Sequence, residues 1–467
     1  MGKAEGVFAD ELVGGWAGRT HRLHPVAHPA TLDDLRGAIE LASSQSRSVI
    51  AMGSGCSYAD QIQNRGGVVI DCRGLAGIEG WNPESGRISV LAGTTLSEIL
   101  KLALPSGWTV GGVPGSFMVT VGGAIANNVH GKDGHRWSFG SGVRSVDLLG
   151  PDGAIRKVEP TSDGKLFEAV VGGLGLLGIV VAAELQLVRI PSPWVEVEVL
   201  RTKSLRQSLE LFEERRNRDF ALGWMDGLGG GTARGRGVIS FAKWASRAEA
   251  VPGERIAQAL MVNDRRFGLV PNAWIWRAAA PMLRPPGLRL TNMIYRALAI
   301  GRSTKVVPFP DFYFLYNRIN GLDEAYRPHG FAEVQALLPQ GKEFEVCDAM
   351  MDLLDRTGLQ PIFMTMKGHV ADSCLLGFPG DGLSVTFGLR KPGGDRVHFR
   401  AALAELFELV IQVGGRVNLS KDEFLSGDQF LRMYPAATEF AAVKRREDPE
   451  GRFQSDQYRR LFVGSLA

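Results

Sequence analysis

The chain has 467 residues, of which 45% are hydrophobic and 22% are charged, which is the composition of an ordinary globular protein. This composition excludes a disordered chain, a collagen-like chain and a small disulfide scaffold. Lys and Arg total 53 against 50 Asp and Glu, and a formal charge of only +3 argues against a nucleic-acid-binding protein. Glycine is over-represented, with 59 residues, which indicates tight turns or close approach of bare backbone to a ligand.

The cysteines and the N-terminus bear on metal sites and on location. Cys56, Cys72, Cys347 and Cys374 form no CxxC pair, and the histidines show no metal-ligand spacing, so we expect neither a disulfide framework nor a metal site. Residues 1–15 lack the apolar stretch of a signal peptide, and no window of about 18 residues is apolar enough to span a membrane. We expect a cytoplasmic protein or one peripheral to the inner membrane face.

The first 190 residues alternate short strands with helical patches. Thr31, followed by two acids, predicts a helix start, and Thr95 and Glu98 have the spacing of a capping box. Strands bounded by glycine are predicted at 48–52, 68–71 and 87–92. Residues 191–193, Pro-Ser-Pro, predict a boundary before a second group of strands.

Residues 265–310, here called the basic segment, have an unusual charge pattern. No acid occurs in it, apolar side chains such as Trp274 and Ile294 are interleaved with its bases, and its prolines exclude one long helix. Its bases are Arg265, Arg266, Arg277, Arg284, Arg289, Arg296, Arg302 and Lys305. These eight positive charges exceed the formal net charge of +3 of the whole chain, so the residues outside the basic segment carry a net negative charge. The pattern predicts a mobile lid that touches an anionic membrane, and an ordinary basic surface is the alternative.

Three glycine-rich sites could hold a ligand. Residues 53–60 follow a strand and could cradle a pyrophosphate, although they lack the Lys of a triphosphate-binding loop and could form a plain turn. Residues 111–131 are dense in small side chains, which would let a flat cofactor lie on backbone or serve a structural loop. Residues 173–178 match GxGxxG, but the β-branched run after them predicts a strand and not the helix of a Rossmann site.

In order and spacing these loops resemble the vanillyl-alcohol oxidase and p-cresol methylhydroxylase superfamily of FAD-binding proteins. The resemblance covers residues 20–190, and motifs such as 129–132, 414–416, 421–422 and 448–456 are similar to its sugar-oxidising branch. It implies an α+β fold in which a two-part FAD-binding domain, residues 1–192 and 414–467, encloses a substrate domain, residues 193–413, built on an antiparallel sheet.

The resemblance also implies the residues that contact FAD. They are Gly53, Ser54, Gly55, Cys56, Ser57, Tyr58, Pro114, Gly115, Ser116, Thr120, Gly122, Gly123, Asn127, Gly131, Gly178 and Ile179. Relatives with a covalently bound flavin have His where this chain has Cys56. We therefore expect non-covalent FAD, with a cysteinyl thioether as the alternative.

Lys421 and His130 are the catalytic candidates. The resemblance implies that Lys421 reaches the pyrimidine edge of the flavin and the substrate hydroxyl. A desolvated lysine can act as a base, so Lys421 is expected to take the hydroxyl proton; the alternative is a lysine in solvent that pairs with Asp422. His130 is expected to orient the flavin or bind the substrate hydroxyl, or else to be a satisfied core histidine. Candidates for substrate contact are Tyr58, Lys132, Gln335, Lys367 and Thr386, and Lys132 could instead be a surface lysine beside Asp133.

The resemblance implies an FAD-dependent oxidation of a secondary sugar hydroxyl. The expected substrate is a pentose linked to a polyprenyl phosphate. Its 2′-oxidation would be the first half of an epimerisation in cell-wall synthesis, completed by an NAD(P)H-dependent reductase. In the relative that oxidises such a ribose, Cys and Gln stand where this chain has Thr386 and Glu333, so a related substrate is also possible. The alternatives are a soluble alditol or aldonolactone oxidase that uses oxygen and a flavin-loaded lipid-binding protein without turnover.

Overall fold

A computed structural model describes residues 7–17, 21–246, 253–262, 265–266, 269–299, 303–318 and 320–464. Its strands are β1 (Ala9–Val13), β2 (Arg22–Ala27), β3 (Val49–Met52), β4 (Val68–Asp71), β5 (Ile78–Asn82), β6 (Arg87–Leu91), β7 (Trp108–Thr109), β8 (Val143–Leu149), β9 (Ile155–Val158), β10 (Ile179–Gln186), β11 (Val188–Arg189), β12 (Trp194–Arg201), β13 (Phe220–Met225), β14 (Gly237–Trp244), β15 (Arg265–Arg266), β16 (Val270–Pro271), β17 (Ser303–Pro308), β18 (Phe331–Pro339), β19 (Pro361–His369), β20 (Gly382–Arg390) and β21 (Arg416–Val417).

The α-helices lie between and after these strands. They are α1 (Leu32–Ser44), α2 (Leu96–Ala103), α3 (Val121–Ala126), α4 (Gly164–Val170), α5 (Leu205–Glu214), α6 (Gly253–Ala259), α7 (Asn272–Ala279), α8 (Gly287–Leu298), α9 (Phe309–Tyr313), α10 (Leu315–Arg318), α11 (Glu343–Arg356), α12 (Arg396–Gln412), α13 (Gly427–Met433), α14 (Ala437–Glu447) and α15 (Asp456–Leu461).

Two smaller sheets come from the first part of the chain. One has the order β1-β2-β4-β3, with β2, β4 and β3 parallel, and α1 packs on it through Leu35 and Ile39. The helix start predicted at Thr31 and the capping box predicted at Thr95 are both confirmed, and Thr31 also forms a capping box with Asp34. The other sheet is antiparallel, with the order β5-β6-β10-β8-β9. Its strand β10 begins directly after the GxGxxG match and alternates between buried and half-buried residues, which confirms the predicted strand.

The largest sheet of the described residues is antiparallel, with the order β17-β12-β14-β13-β19-β20-β18-β21. Polar residues repeat with a period of two on its central strands, as at Glu333 and Gln335 on β18 and at Ser384 and Thr386 on β20. This spacing places them on one face of the sheet. On the opposite face Val334, Met366 and Phe387 belong to the hydrophobic core. The expected mixture of helices and strands with a large antiparallel sheet is confirmed.

The C-terminal residues return to the N-terminal part of the fold. Phe453 forms a parallel bridge with Val49 on β3, and Arg460 on α15 pairs with Asp60 at 2.9 Å. The short strand β21 instead extends the large sheet by pairing with β18. The expected division into residues 1–192, 193–413 and 414–467 stays a prediction.

The basic segment contains two separate helices, α7 and α8, as its prolines required. Arg302 and the side chain of Arg266 lie outside the described residues. Several apolar side chains of the two helices face solvent. They are Trp274, Ile275, Leu290, Met293, Ile294, Tyr295 and Leu298. Within the described residues, no helix combines the length and the apolar character needed to cross a membrane.

Candidate active site

A large cavity lies between the glycine-rich loops and the polar face of the large sheet. Its volume is about 360 Å³, which is within the range of sites for small molecules and cofactors. The expected site residues that line it are Gly53, Ser54, Gly55, Cys56, Ser57, Tyr58, Pro114, Gly115, Ser116, Thr120, Gly122, Gly123, Asn127, His130, Gly178, Lys367 and Lys421. The structure therefore gathers most of the predicted residues, from distant parts of the chain, around one space.

Five expected contact residues do not line the cavity, and three of them, Gly131, Ile179 and Lys132, lie apart from its polar face. A Cβ on Gly131 would stand 1.9 Å from the Tyr313 hydroxyl oxygen, so this glycine permits close packing away from the cavity. Ile179 is buried in the hydrophobic core at the start of β10. Lys132 is also buried, and its ammonium group donates to the carbonyl of Phe312. Lys132 is thus neither a surface lysine nor a residue of the cavity wall.

Bare backbone forms one wall of the cavity. A Cβ on Gly53 would lie 2.1 Å from the Thr120 Oγ1 atom, and one on Gly122 would lie 3.0 Å from the Ala92 Cβ atom. Gly55 has a φ of +66°, and a Cβ there would meet nothing within 4 Å. Side chains are therefore excluded at Gly53 by contact and disfavoured at Gly55 by conformation, and the amide groups of this loop stay accessible.

A polar cluster lies on the same wall. The Gln61 Nε2 atom donates to the Asn127 Oδ1 atom at 2.7 Å, and the Ser420 hydroxyl donates to the same oxygen at 2.6 Å. The Gln61 Oε1 atom is buried and has no hydrogen-bond partner among the described residues. Because buried polar atoms are normally paired, this oxygen is available to a donor group of a bound ligand.

Lys421 forms an ion pair that the sequence did not predict. Its ammonium group contacts the Glu333 Oε1 atom, whereas Asp422 pairs with Arg460 at 2.8 Å. The side chain of Glu333 is 1% exposed and that of Lys421 is 14% exposed, so the pair is largely removed from water. The Lys421 Nζ atom also lies 5.0 Å from the ring centre of Tyr58. The alternative, in which Lys421 pairs with Asp422 in solvent, is therefore wrong.

Strand register places the other polar side chains on the face of the large sheet that carries Glu333. Gln335 pairs with Thr386, and Lys367 pairs with Ser384. Directly paired residues of antiparallel strands point to the same side, so these four share one face. Of these four residues, only Lys367 lines the cavity. Gln335 and Thr386 are buried and do not line it, but Gln335 contacts His130, which does.

His130 lines the cavity and packs against His369, with 4.6 Å between the ring centres. Its Nε2 atom lies 3.0 Å from the Gln335 Nε2 atom. Burial, together with the positive charges of Lys367 and Lys421, holds the pKa of His130 well below its usual range. His130 is therefore neutral near pH 7.

Lys367 faces the cavity without a hydrogen bond or an ion pair among the described residues. Burial and the nearby charge of Lys421 lower the pKa of Lys367 to about 8. Most of this lysine is therefore still charged at pH 7, and it supplies a cation that no protein carboxylate neutralises directly.

Cys56 is half-buried in the loop of residues 53–58. Burial raises the pKa of the Cys56 thiol to about 11, so the thiol is protonated near neutral pH. Because the thiolate is the nucleophilic form of cysteine, this environment disfavours formation of a thioether.

Aromatic residues that the sequence reasoning did not identify complete the rim. Trp16 packs edge-on against both Tyr58, at 5.2 Å, and Tyr316, at 5.5 Å. All three line the cavity. Nothing in the local sequence indicates this role for Trp16 or Tyr316, since it depends on contacts between distant segments.

Other residues that were missed left a signal in the sequence. Glu333, Ser384 and His369 each lie two residues from a predicted contact on the same strand, at Gln335, Thr386 and Lys367. The period of two could have extended each single prediction to a pair on the same face.

Comparison with known proteins agrees with this geometry. Residues 24–159 match a family described as "FAD binding domain". The chain is 30% identical over 435 residues to decaprenylphosphoryl-beta-D-ribose oxidase of Mycolicibacterium smegmatis, which covers 91% of this chain and 92% of that protein. It is 31% identical over 387 residues to an uncharacterized Streptomyces coelicolor protein, covering 79% of this chain and 99% of that protein. It is also 32% identical to cytokinin dehydrogenase 8 of Oryza sativa subsp. indica over 210 residues, which are 40% of this chain and 37% of that enzyme.

The protein is an FAD-dependent oxidoreductase. It belongs to the p-cresol methylhydroxylase-type FAD-binding family that includes decaprenylphosphoryl-beta-D-ribose oxidase. The cavity fits this cofactor: a glycine-lined wall at 53–58 and 173–178 offers backbone amides to a pyrophosphate, and the free Gln61 oxygen offers an acceptor. Two lysines, Lys367 and Lys421, line the same cavity and bear on the charge of the substrate.

Proposed function

We propose that the protein oxidises a secondary hydroxyl group of a pentose linked to a polyprenyl phosphate, at the 2′ position. The observation that carries the proposal is the charge of the cavity. Lys421 is neutralised by Glu333, but among the described residues Lys367 has no counter-ion in contact, so the cavity favours an anionic substrate. The name of the Mycolicibacterium smegmatis relative, a decaprenylphosphoryl-ribose oxidase, supports a phosphate-linked sugar.

The side chains of the site suit this reaction. Bound FAD supplies the acceptor for the hydride of the carbinol carbon. The hydroxyl proton passes to the Lys421 Nζ atom as a proton of that ammonium group passes to the Glu333 Oε1 atom, so the buried pair gains one proton in total. The position of the substrate hydroxyl matters because reacting groups held about 3 Å apart react much faster than the same groups free in solution. Trp16 and Tyr316 line the same cavity and add aromatic surface to its wall.

Anaerobic reduction of the flavin tests the proposal directly. Polyprenyl-phosphate pentoses should bleach the flavin absorbance, and the Lys421→Ala variant should retain FAD without bleaching. Lys165→Ala, which removes an exposed lysine paired with Glu439, is the control and should bleach normally. Bleaching of Lys421→Ala at the rate of the unaltered protein would show that Lys421 is not the base.

The same assay separates the alternatives. Rapid peroxide formation with free polyols would favour an alditol or aldonolactone oxidase, and no bleaching with any phospho-sugar would favour a lipid-binding protein. Lys367→Met should weaken binding of the phosphorylated sugar but not of the corresponding free sugar. Equal losses for both sugars would contradict the role of Lys367 in binding phosphate.

The keto product requires a second enzyme for net epimerisation. We propose an NAD(P)H-dependent reductase that returns the hydride to the other face of the sugar, as part of cell-wall synthesis. NAD(P)H consumption that depends on both proteins would support this partner. FAD is proposed to bind without a covalent bond because the Cys56 thiol is protonated.

We further propose that the basic segment contacts the inner membrane face. Trp274 and Leu298 are 66% and 75% exposed, and Arg277 and Arg289 lie on the same two helices. Exposed apolar side chains beside arginines suit an anionic lipid surface. The Trp276 Nε1 atom donates to the carbonyl of Asn320, which lines the cavity, at 3.1 Å. This contact supports access of a lipid-linked substrate from the membrane side.

Vesicle sedimentation tests the membrane contact. Trp274→Ser and Leu298→Ser should reduce binding to vesicles that contain anionic lipid. Val397→Ser, which alters an 81% exposed valine on α12, is the control and should bind normally. Equal binding by all three variants would contradict the proposal, as would vesicle binding that survives deletion of residues 275–303.

A further inference from the structure

A chain of hydrogen bonds runs through the large sheet behind the cavity, and backbone groups fix its direction at both ends. At one end the Ser420 backbone N–H donates to the Asn418 Oδ1 atom at 3.0 Å. A backbone N–H can only donate, so the other side-chain atom of Asn418 is its amide nitrogen. That nitrogen donates to the Gln335 Oε1 atom at 3.0 Å.

The orientation of the Gln335 amide determines the role of His130 in the next hydrogen bond. Its oxygen accepts from Asn418, so its Nε2 atom, with two hydrogens, faces the remaining partners. They are the His130 Nε2 atom at 3.0 Å and the Ser384 Oγ atom at 3.0 Å. Since the Gln335 nitrogen only donates, the His130 Nε2 atom must accept. A neutral imidazole that accepts at Nε2 carries its hydrogen on Nδ1.

The second branch continues from Ser384 to His369. The Ser384 oxygen accepts from Gln335 and also lies 2.7 Å from the His369 Nε2 atom, and a hydroxyl that accepts one hydrogen bond can either donate or accept the other. His369 is neutral because burial and the charge of Lys367 lower its pKa to about 3. Its Nδ1 atom is buried and has no partner among the described residues.

His135 marks the far end of the chain. Its Nε2 atom lies 2.6 Å from the carbonyl oxygen of Arg218, which can only accept, so Nε2 carries the hydrogen. Burial lowers the pKa of His135, and the neutral ring then has an acceptor at Nδ1. That atom is also buried without a partner among the described residues.

The two histidines with an unpartnered Nδ1 atom line the same small space. His135 and His369 both line a cavity of about 30 Å³, which is large enough for one water molecule. A water molecule can both donate and accept, so one placed there can donate to the His135 Nδ1 atom and bond to the His369 Nδ1 atom as well.

We propose that this chain fixes His130 as the tautomer with its hydrogen on Nδ1, and that an ordered water molecule joins His369 to His135. With Nε2 occupied by Gln335, His130 presents a hydrogen-bond donor to the cavity and does not serve as the base. Gln335 and Asn418 are positioning residues. Only the use of that donor, which holds the oxygen of the reacting hydroxyl, rests on the proposed function.

Nitrogen NMR of the FAD-loaded protein, labelled with ¹⁵N-histidine and without substrate, tests the tautomer. The spectrum of His130→Gln identifies the signals of His130. The unaltered protein should show a hydrogen on Nδ1 and none on Nε2. Gln335→Glu presents only acceptors to His130 and should move the hydrogen to Nε2. His369→Phe keeps an aromatic ring beside His130, removes the second branch and should leave the His130 tautomer unchanged.

A hydrogen on Nε2 in the unaltered protein, or no change in Gln335→Glu, would overturn the proposal. A crystal structure at high resolution should show the water molecule within hydrogen-bonding distance of both Nδ1 atoms, and an empty space there would overturn that part. Flavin bleaching by Gln335→Glu should be about a hundredfold slower, as when one placed donor is lost. If no phospho-sugar bleaches the unaltered protein, the proposed function fails while the tautomer measurement still stands.

Discussion

Removal of one member of the Lys421–Glu333 pair should destabilise the protein by an amount that depends on which charge is left behind. Lys421→Met leaves the carboxylate of Glu333 without a partner in a place that is 1% exposed. The Glu333 Oε2 atom is already without a hydrogen bond among the described residues, so the carboxylate loses its main compensation. Breaking a buried pair in this way costs about 3 kcal/mol or more.

The opposite change should cost less. Glu333→Gln leaves the ammonium group of Lys421, which is 14% exposed and keeps its contact with the ring of Tyr58 at 5.0 Å. The loss is then about 1.5 kcal/mol, the contribution of a hydrogen bond to a charged group. The double variant Lys421→Met/Glu333→Gln removes both charges and should be more stable than Lys421→Met by about 2 kcal/mol.

Urea unfolding followed by tryptophan fluorescence measures these differences. Each variant is measured with and without added FAD, because ligand binding by itself raises the apparent stability. Lys165→Met, in an exposed pair with Glu439, is the control and should leave the unfolding midpoint unchanged. A double variant no more stable than Lys421→Met would refute the reasoning, because the penalty would then not come from an isolated carboxylate.

Three further predictions concern the glycine loop, Cys56 and Lys367. Gly53→Ala should lower the FAD content of the purified protein, measured by flavin absorbance, because its Cβ would lie 2.1 Å from the Thr120 Oγ1 atom; Gly37→Ala, where a Cβ meets nothing, should keep full FAD content. Because the pKa of Cys56 is about 11, alkylation of its thiol should be slow at pH 8 and should accelerate about tenfold per pH unit up to pH 11. FAD should also separate from the protein on denaturation, since no covalent bond is expected. Fast alkylation at pH 7, or flavin that stays with the denatured protein, would contradict this. Because the pKa of Lys367 is about 8, its ammonium group loses its charge as the pH increases through 8, and KM for a phosphorylated sugar should rise over that range. Lys367→Arg keeps the charge and should remove this pH dependence. An unchanged pH profile in the Arg variant would show that another group titrates.

The sequence by itself determined the local features of the fold and of the cofactor site. The capping boxes at Thr31 and Thr95 and the strand after the GxGxxG match follow from residues within a few positions of one another. The glycine loops at 53–58 and 173–178 are also local, because a missing Cβ and a positive φ are properties of single residues. These features were enough to indicate the family.

Only the tertiary structure decided which polar side chains meet. Lys421 and Glu333 are 88 positions apart, and His130 and Gln335 are 205 positions apart. Such contacts depend on strand register, since a shift of one residue would turn Glu333 and Gln335 to the opposite face of the sheet. The same limit explains Lys132, whose neighbours Phe312 and Tyr313 come from a helix 180 residues further along the chain. Charge at the site is therefore set by packing between distant segments, which no local pattern encodes.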